Sequence, residues 1–170
     1  FSRFDWVELR DPNIPATISQ LKNRSIKCIA LTAQSTGKMG EIARMEEWRH
    51  HQLRHHGIDF SKGPFRSTLH FSHLDPKKVP VFHDGILCSW DVPKGVVLTA
   101  FLDRINYKPQ RIIFIDDKKD WVEGVAKELD DRSIPNLCIH YQLQERQVRL
   151  DPDEIVKQLQ AFIAELALQP

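Results

Sequence analysis

The 170-residue sequence has no excess of charge of either sign, no C-x-x-C pair and no long hydrophobic run. Lys and Arg number 24 against 23 for Asp and Glu, a formal net charge of +1, so no bulk field draws the chain to nucleic acid or to anionic lipid. Neither nucleic acid nor membrane is expected as a partner. Cys28, Cys88 and Cys138 are odd in number, far apart and each set in an apolar segment. They read as small buried hydrophobes in a reducing compartment, and a cytoplasmic location is expected. No segment approaches the roughly 20 apolar residues of a membrane helix. Phe1 to Arg10 lacks the basic, apolar, small-residue order of a signal peptide. It also lacks an initiator Met, so a fragment or processed product is expected.

What is present is an alternation of strand and helix with no internal repeat, across a length suited to one domain, residues 1–170. Asn13 to Asn23 has the helical pattern, with Pro15 early and Ile14, Ile18 and Leu21 on one face. Ile26 to Leu31 is a nearly continuous apolar run, as in a strand covered on both faces. A polar helical stretch from Lys38 to about His56 closes at Gly57. Ser67 to Phe71 and Val79 to Trp90 are extended segments joined across Asp75–Lys78 as a hairpin. Lys94 opens a helix to Ile105, Arg111 to Ile115 is a strand, and a helix follows to about Leu129. Asn136 to Tyr141 is a strand, and Pro152 starts a last amphipathic helix. The expected class is α/β, with a doubly wound, mainly parallel sheet, helices on both faces and a β-hairpin.

In such sheets ligands bind beyond the carboxyl ends of the strands. Thr32 ends one strand, and Asp116, Asp117 and Asp120 follow another. Adjacent carboxylates with waters offer the hard oxygen environment of Mg²⁺, whereas a cap on the next helix needs one carboxylate alone. Thr32 can donate its hydroxyl to an anion. Lys94 stands at a helix start, where the dipole disfavours a cation, so an anionic partner is expected beside it.

The order Thr32, then Lys94 at a helix start, then a strand ending in Asp116-Asp117 resembles motifs two, three and four of the haloacid-dehalogenase-like superfamily. The resemblance spans residues 13–141, and CIALTAQ, GILCSWDVPKG and KPQRIIFIDDKKDWVEGV look like a poorly characterised bacterial branch of it. It implies a Rossmann-like fold and a Mg²⁺-dependent phosphatase, a hydrolase acting through an aspartyl-phosphate on a phosphorylated small molecule or phosphoprotein. Thr32 would then bond the phosphoryl group and Lys94 would neutralise its charge. Asp116 and Asp117 would hold Mg²⁺, with Asp120 a spaced second carboxylate, and residues 38–88 would contribute cap elements.

The first motif, D-x-D with its nucleophile, is not found in residues 1–31, where Asp5 and Asp11 follow no apolar strand. Neither Thr32 nor Lys94 can form the acyl phosphate, so the chain alone is expected to be inactive. The sheet is expected to lack its central first strand, to be supplied by an upstream fragment of the same protein or by another chain. Two functions follow: the carboxyl-terminal part of such a phosphohydrolase, or a non-enzymatic binding or assembly module.

The histidine run His50, His51, His55 and His56 places His51 and His55 one helical turn apart, the spacing of a Zn²⁺ pair, but reads mainly as a solvated face. His83-Asp84 is a lone dipeptide of low specificity. Trp48 and Trp121 are expected in the core.

Overall fold

The structure is a computed structural model that describes residues 9, 11–61, 63, 65 and 67–142. The helix expected from Pro152 lies outside the described residues. Within them the order is α1 (Ile14–Asn23), β1 (Ala30–Thr32), α2 (Met45–His55), β2 (Thr68–His70), β3 (Val81–His83) and β4 (Ile86–Cys88). It continues with α3 (Lys94–Arg104), β5 (Ile112–Asp116), α4 (Lys119–Asp131) and β6 (Asn136–His140).

The class is α/β, but the strands form two sheets. The larger is mixed, in the order β1-β4-β3-β2, with β1 parallel to β4 and the other pairs antiparallel. The smaller pairs β5 with β6 in parallel, Ile112 opposite Asn136 through Asp116 opposite His140. Alternation along a strand explains how the larger sheet is covered. Leu31 and Leu87 face a core built with Phe82, Val97 and Phe101, while Ala30, Ile86 and Cys88 face a second core with Ile14, Ile18 and Phe60. Helix α3 thus lies on one side, with α1 and α2 on the other.

The smaller sheet differs. Phe114, Cys138 and Ile112 pack toward the core with Val122, Val125 and Leu129 of α4. Their alternates Ile113, Ile115 and Leu137 stand 59%, 57% and 50% exposed among the described residues.

The four described helices end alike. A left-handed residue, Ser25, Gly57, Asn106 or Ser133, is followed by an apolar one whose N–H reaches back to the last turn. These bonds run from Ile26, Ile58, Tyr107 and Ile134 to the carbonyls of Leu21, Leu53, Leu102 and Leu129, the closing pattern of a Schellman end.

The strand expected over Ile26–Leu31 is confined to Ala30–Thr32, and two further boundaries differ from the sequence expectation for local reasons. Helix α2 begins at Met45 because Lys38–Arg44 is held as a turn by the Met39–Ile42 bridge. The extended segment Val79–Trp90 is cut into β3 and β4 by Asp84 and Gly85, whose φ angles of 44° and 85° make a two-residue hairpin turn. A Cβ on Gly85 would lie 2.5 Å from Phe60, so only glycine fits there. Residues 38–88, the expected cap elements, supply α2 and the strands joined to β1.

Candidate functional site at the carboxyl ends of the strands

The parallel pairing of β1 with β4, and of β5 with β6, aligns the carboxyl ends within each sheet. Lys94 sits at the start of α3, after the short loop 89–93 that follows β4, and its Nζ lies 2.6 Å from Asp116 Oδ2 at the end of β5. Both side chains are buried, 5% and 8% exposed, so this pair joins the two sheets through a desolvated contact. Asp116 Oδ1 accepts the Lys118 N–H at 3.0 Å, which bends the chain into α4. Burial pushes the Lys94 ammonium below the ordinary lysine range, against the hydrogen bond and charge of Asp116. The cation at a helix start is thereby explained by the carboxylate facing it.

Helix packing makes that contact reachable. A Cβ on Gly95 would stand 2.7 Å from Glu128 Cγ and 3.0 Å from the Gly124 carbonyl, so the start of α3 lies close against α4. Trp121, expected in the core, serves the site as well. Its ring carries Lys94 Nζ at 3.8 Å and Lys118 Nζ at 4.3 Å from the centroid, two cation–π contacts on one indole.

Thr32 ends β1, where its carbonyl accepts the Ser89 N–H at 2.8 Å and its Oγ1 accepts the Gln34 N–H at 3.3 Å. Gln34 also accepts from Arg49 of α2, a cation that the sequence reading does not single out. Among the described residues no carboxylate lies within ion-pair distance of Arg49. Burial pushes its guanidinium below the ordinary range. The pairing of Arg49 with Gln34 across fifteen residues leaves no signal in a single sequence.

The acidic loop is not gathered into one ligand cluster. Asp117 and Asp120 are exposed, and among the described residues the group of three or more potential metal ligands is His50, His83 and Asp84. His50 does not belong to a solvated face; it is buried against the β3–β4 hairpin, near His83.

Between the two sheets runs an apolar cavity of about 700 Å³. Its sides are β1 and β5, one face carries Ile14 and Ile18 of α1, and the other Leu98 and Phe101 of α3. Among the described residues neither β1 nor β5 has a strand on the edge facing it. None of the described helices is long and apolar enough to cross a membrane.

A protein of Rickettsia prowazekii described as uncharacterised is 30% identical over 150 residues, covering 86% of this chain and 50% of that protein. A Rickettsia bellii protein, described the same way, is 28% identical over 138 residues, covering 79% of this chain and 47% of its own length. The chain spans about half the length of these relatives. No solved structure matches it. A family model described as "Protein of unknown function (DUF2608)" matches residues 3–168. These matches correct the resemblance to the haloacid-dehalogenase-like superfamily, and with it the hydrolase and phosphatase readings. The physical reason is that the order Thr32, Lys94, Asp116 consists of short signals, and among the described residues no strand lies between β1 and β5 to carry a D-x-D. With nearly its whole length matched, the chain belongs to the DUF2608 family.

Proposed function

We propose that this chain is an assembly module: one part of a larger α/β protein, completed when a β-strand enters the cavity between β1 and β5. The carrying observation is the cavity itself, walled by two strand edges, with Ile14 and Ile18 of α1 on one face and Leu98 and Phe101 of α3 on the other. A parallel strand has that environment, apolar on both faces and bonded on both edges. Unpaired edges invite such addition. The occupant we assign is a segment of the same protein outside the matched half, since the relatives carry about as much chain again. The joined strands then form one doubly wound sheet.

The carboxyl end of that sheet is proposed to bind a phosphate-bearing ligand together with Mg²⁺. Lys94 and Arg49 supply positive charge, Thr32 a hydroxyl, and Asp116 and Asp117 hard oxygen donors, of which Mg²⁺ takes one or two alongside phosphate oxygens. Both Asp116 oxygens already have partners, so the cation enters with the anion that draws Lys94 away. We assign the chain no catalytic step of its own.

Hydrogen-exchange mass spectrometry on this chain, and on the gene product carrying its flanking sequence, tests the reading. Protection of the amides of residues 30–32 and 112–116 in the longer protein is the expected result. Equal exchange at both edges refutes strand entry. An apolar small molecule filling the cavity in the chain alone, at the volume typical of ligand pockets, refutes it as well.

A further inference from the structure

We propose that His50, His83 and Asp84 form a binding site for a divalent transition-metal ion, for which Zn²⁺ is the reference. One ligand atom from each of the three lies within 4.8 Å of the others. Ligand atoms about 2.1 Å from a tetrahedral zinc stand roughly 3.4 Å apart, so closure onto an ion needs small side-chain movements and no change of backbone.

The three residues come from separate places whose geometry is fixed independently. His50 lies on the inner face of α2, 9% exposed, and its Nε2 has no hydrogen-bond partner among the described residues. A buried imidazole nitrogen left without a partner is destabilising unless something completes it. A metal ion does so. The rings of His50 and His83 meet edge to face, with centroids 6.1 Å apart. His83 Nδ1 is engaged with Thr68 Oγ1 at 2.9 Å, which leaves its Nε2 as the ligand atom and fixes the ring, the outer contact typical of metal-bound histidine. His83 Nε2 lies 3.8 Å from Asp84 Oδ2, so both point the same way.

The hairpin turn holds this arrangement. Asp84 adopts φ 44°, a left-handed conformation uncommon for a residue with a side chain, and Gly85 packs on Phe60 too tightly for any Cβ. The backbone of the tip is thereby set close against Phe60, just beyond the end of α2. Two imidazoles and a carboxylate suit a borderline metal better than Mg²⁺, and three protein ligands leave one position of a tetrahedron for water or a further ligand. The site does not depend on the strand-entry reading.

The test is a Zn²⁺ titration of the metal-stripped full chain by competition with a chromophoric chelator, with metal content measured by mass spectrometry. One ion per chain is expected. His83→Gln and Asp84→Asn each abolish that binding, and Thr68→Val weakens it about 10- to 100-fold, as loss of an outer-shell partner does. The double variant His51→Gln/His55→Gln retains it, which separates this site from exposed histidines on the same helix. Circular dichroism checks each fold. Should His50→Gln unfold, the hairpin variants decide. No stoichiometric binding in the parent, parent-like binding in both hairpin variants, or loss of binding in the His51/His55 double variant overturns the proposal.

Discussion

Replacing Lys94 by Met isolates the energetics of the contact that joins the two sheets. The side chains of Lys94 and Asp116 are 5% and 8% exposed, so the pair falls in the buried class, where removing one partner costs about 3–5 kcal/mol. The lower figure applies here, because Asp116 keeps the Lys118 N–H on its other oxygen and Met retains apolar contact with Trp121. A loss of about 3 kcal/mol in a chain of this size lowers the melting temperature by roughly 6–12 °C. Lys94→Met/Asp116→Asn is expected to recover part of that loss, since the amide still accepts the Lys118 N–H and no unpaired charge remains. A double-mutant cycle then gives a coupling of about 2 kcal/mol, within the range for direct partners. Thermal unfolding by circular dichroism measures all four proteins. If Lys94→Met melts within about one degree of the parent, the pair exchanges freely with water and the argument from burial fails.

Glu46 and Ser133 give two further tests. Burial opposes the charged form of Glu46, but the N–H groups of Glu46 and Gly37 and the Arg44 guanidinium outweigh it, holding the carboxyl below its usual range. A depressed folded-state value contributes stability that is complete above the unfolded carboxylate range and lost as pH falls through the folded one. Glu46→Gln is therefore expected to lower the urea midpoint at neutral pH, with the gap to the parent closing in acid; a gap independent of pH refutes the assignment. Ser133, left-handed after α4, is expected to gain up to about 1 kcal/mol on replacement by Gly, relief of left-handed strain exceeding the extra freedom of the unfolded chain. A lower melting temperature for Ser133→Gly shows that the hydroxyl side chain has a contact worth more than the strain.

The sequence read well where a signal is local. Helix α3 starts at Lys94 as expected, and β5 and α4 end within one or two residues of the expected Ile115 and Leu129. Asp84-Gly85 was equally local, since Asp-Gly is a strong hairpin signal, yet an apolar run on both sides masked it as one long strand. The continuous apolar run Ile112–Ile115 would suit a strand covered on both faces, whereas the described residues cover one. Contacts across the fold leave no trace: Arg49 finds Gln34 in the loop after β1, and His50 finds His83 because α2 lies over β3 and β4. Along its own helix the histidine run makes His51 and His55 neighbours, and nothing local in it points across to the hairpin. The helix ends themselves are legible to within two residues, but three of their left-handed closures are not, as Ser25, Asn106 and Ser133 adopt a conformation for which glycine is the usual marker.

The walls of the cavity are made at different moments of synthesis. β1 and β5 are separated by residues 33–111, so the ribosome releases one wall long before the other exists. On the strand-entry proposal, the incoming strand has no complete receptor until β5 has emerged, which makes its pairing one of the slow, non-local steps of folding. Until then an apolar edge stays accessible to chaperones and to other nascent chains. Production of the full-length gene product is accordingly expected to depend on chaperone supply far more than production of α3 through β6, whose contacts are between neighbours in the chain; equal yields with and without added chaperone for both would show that the gap closes early.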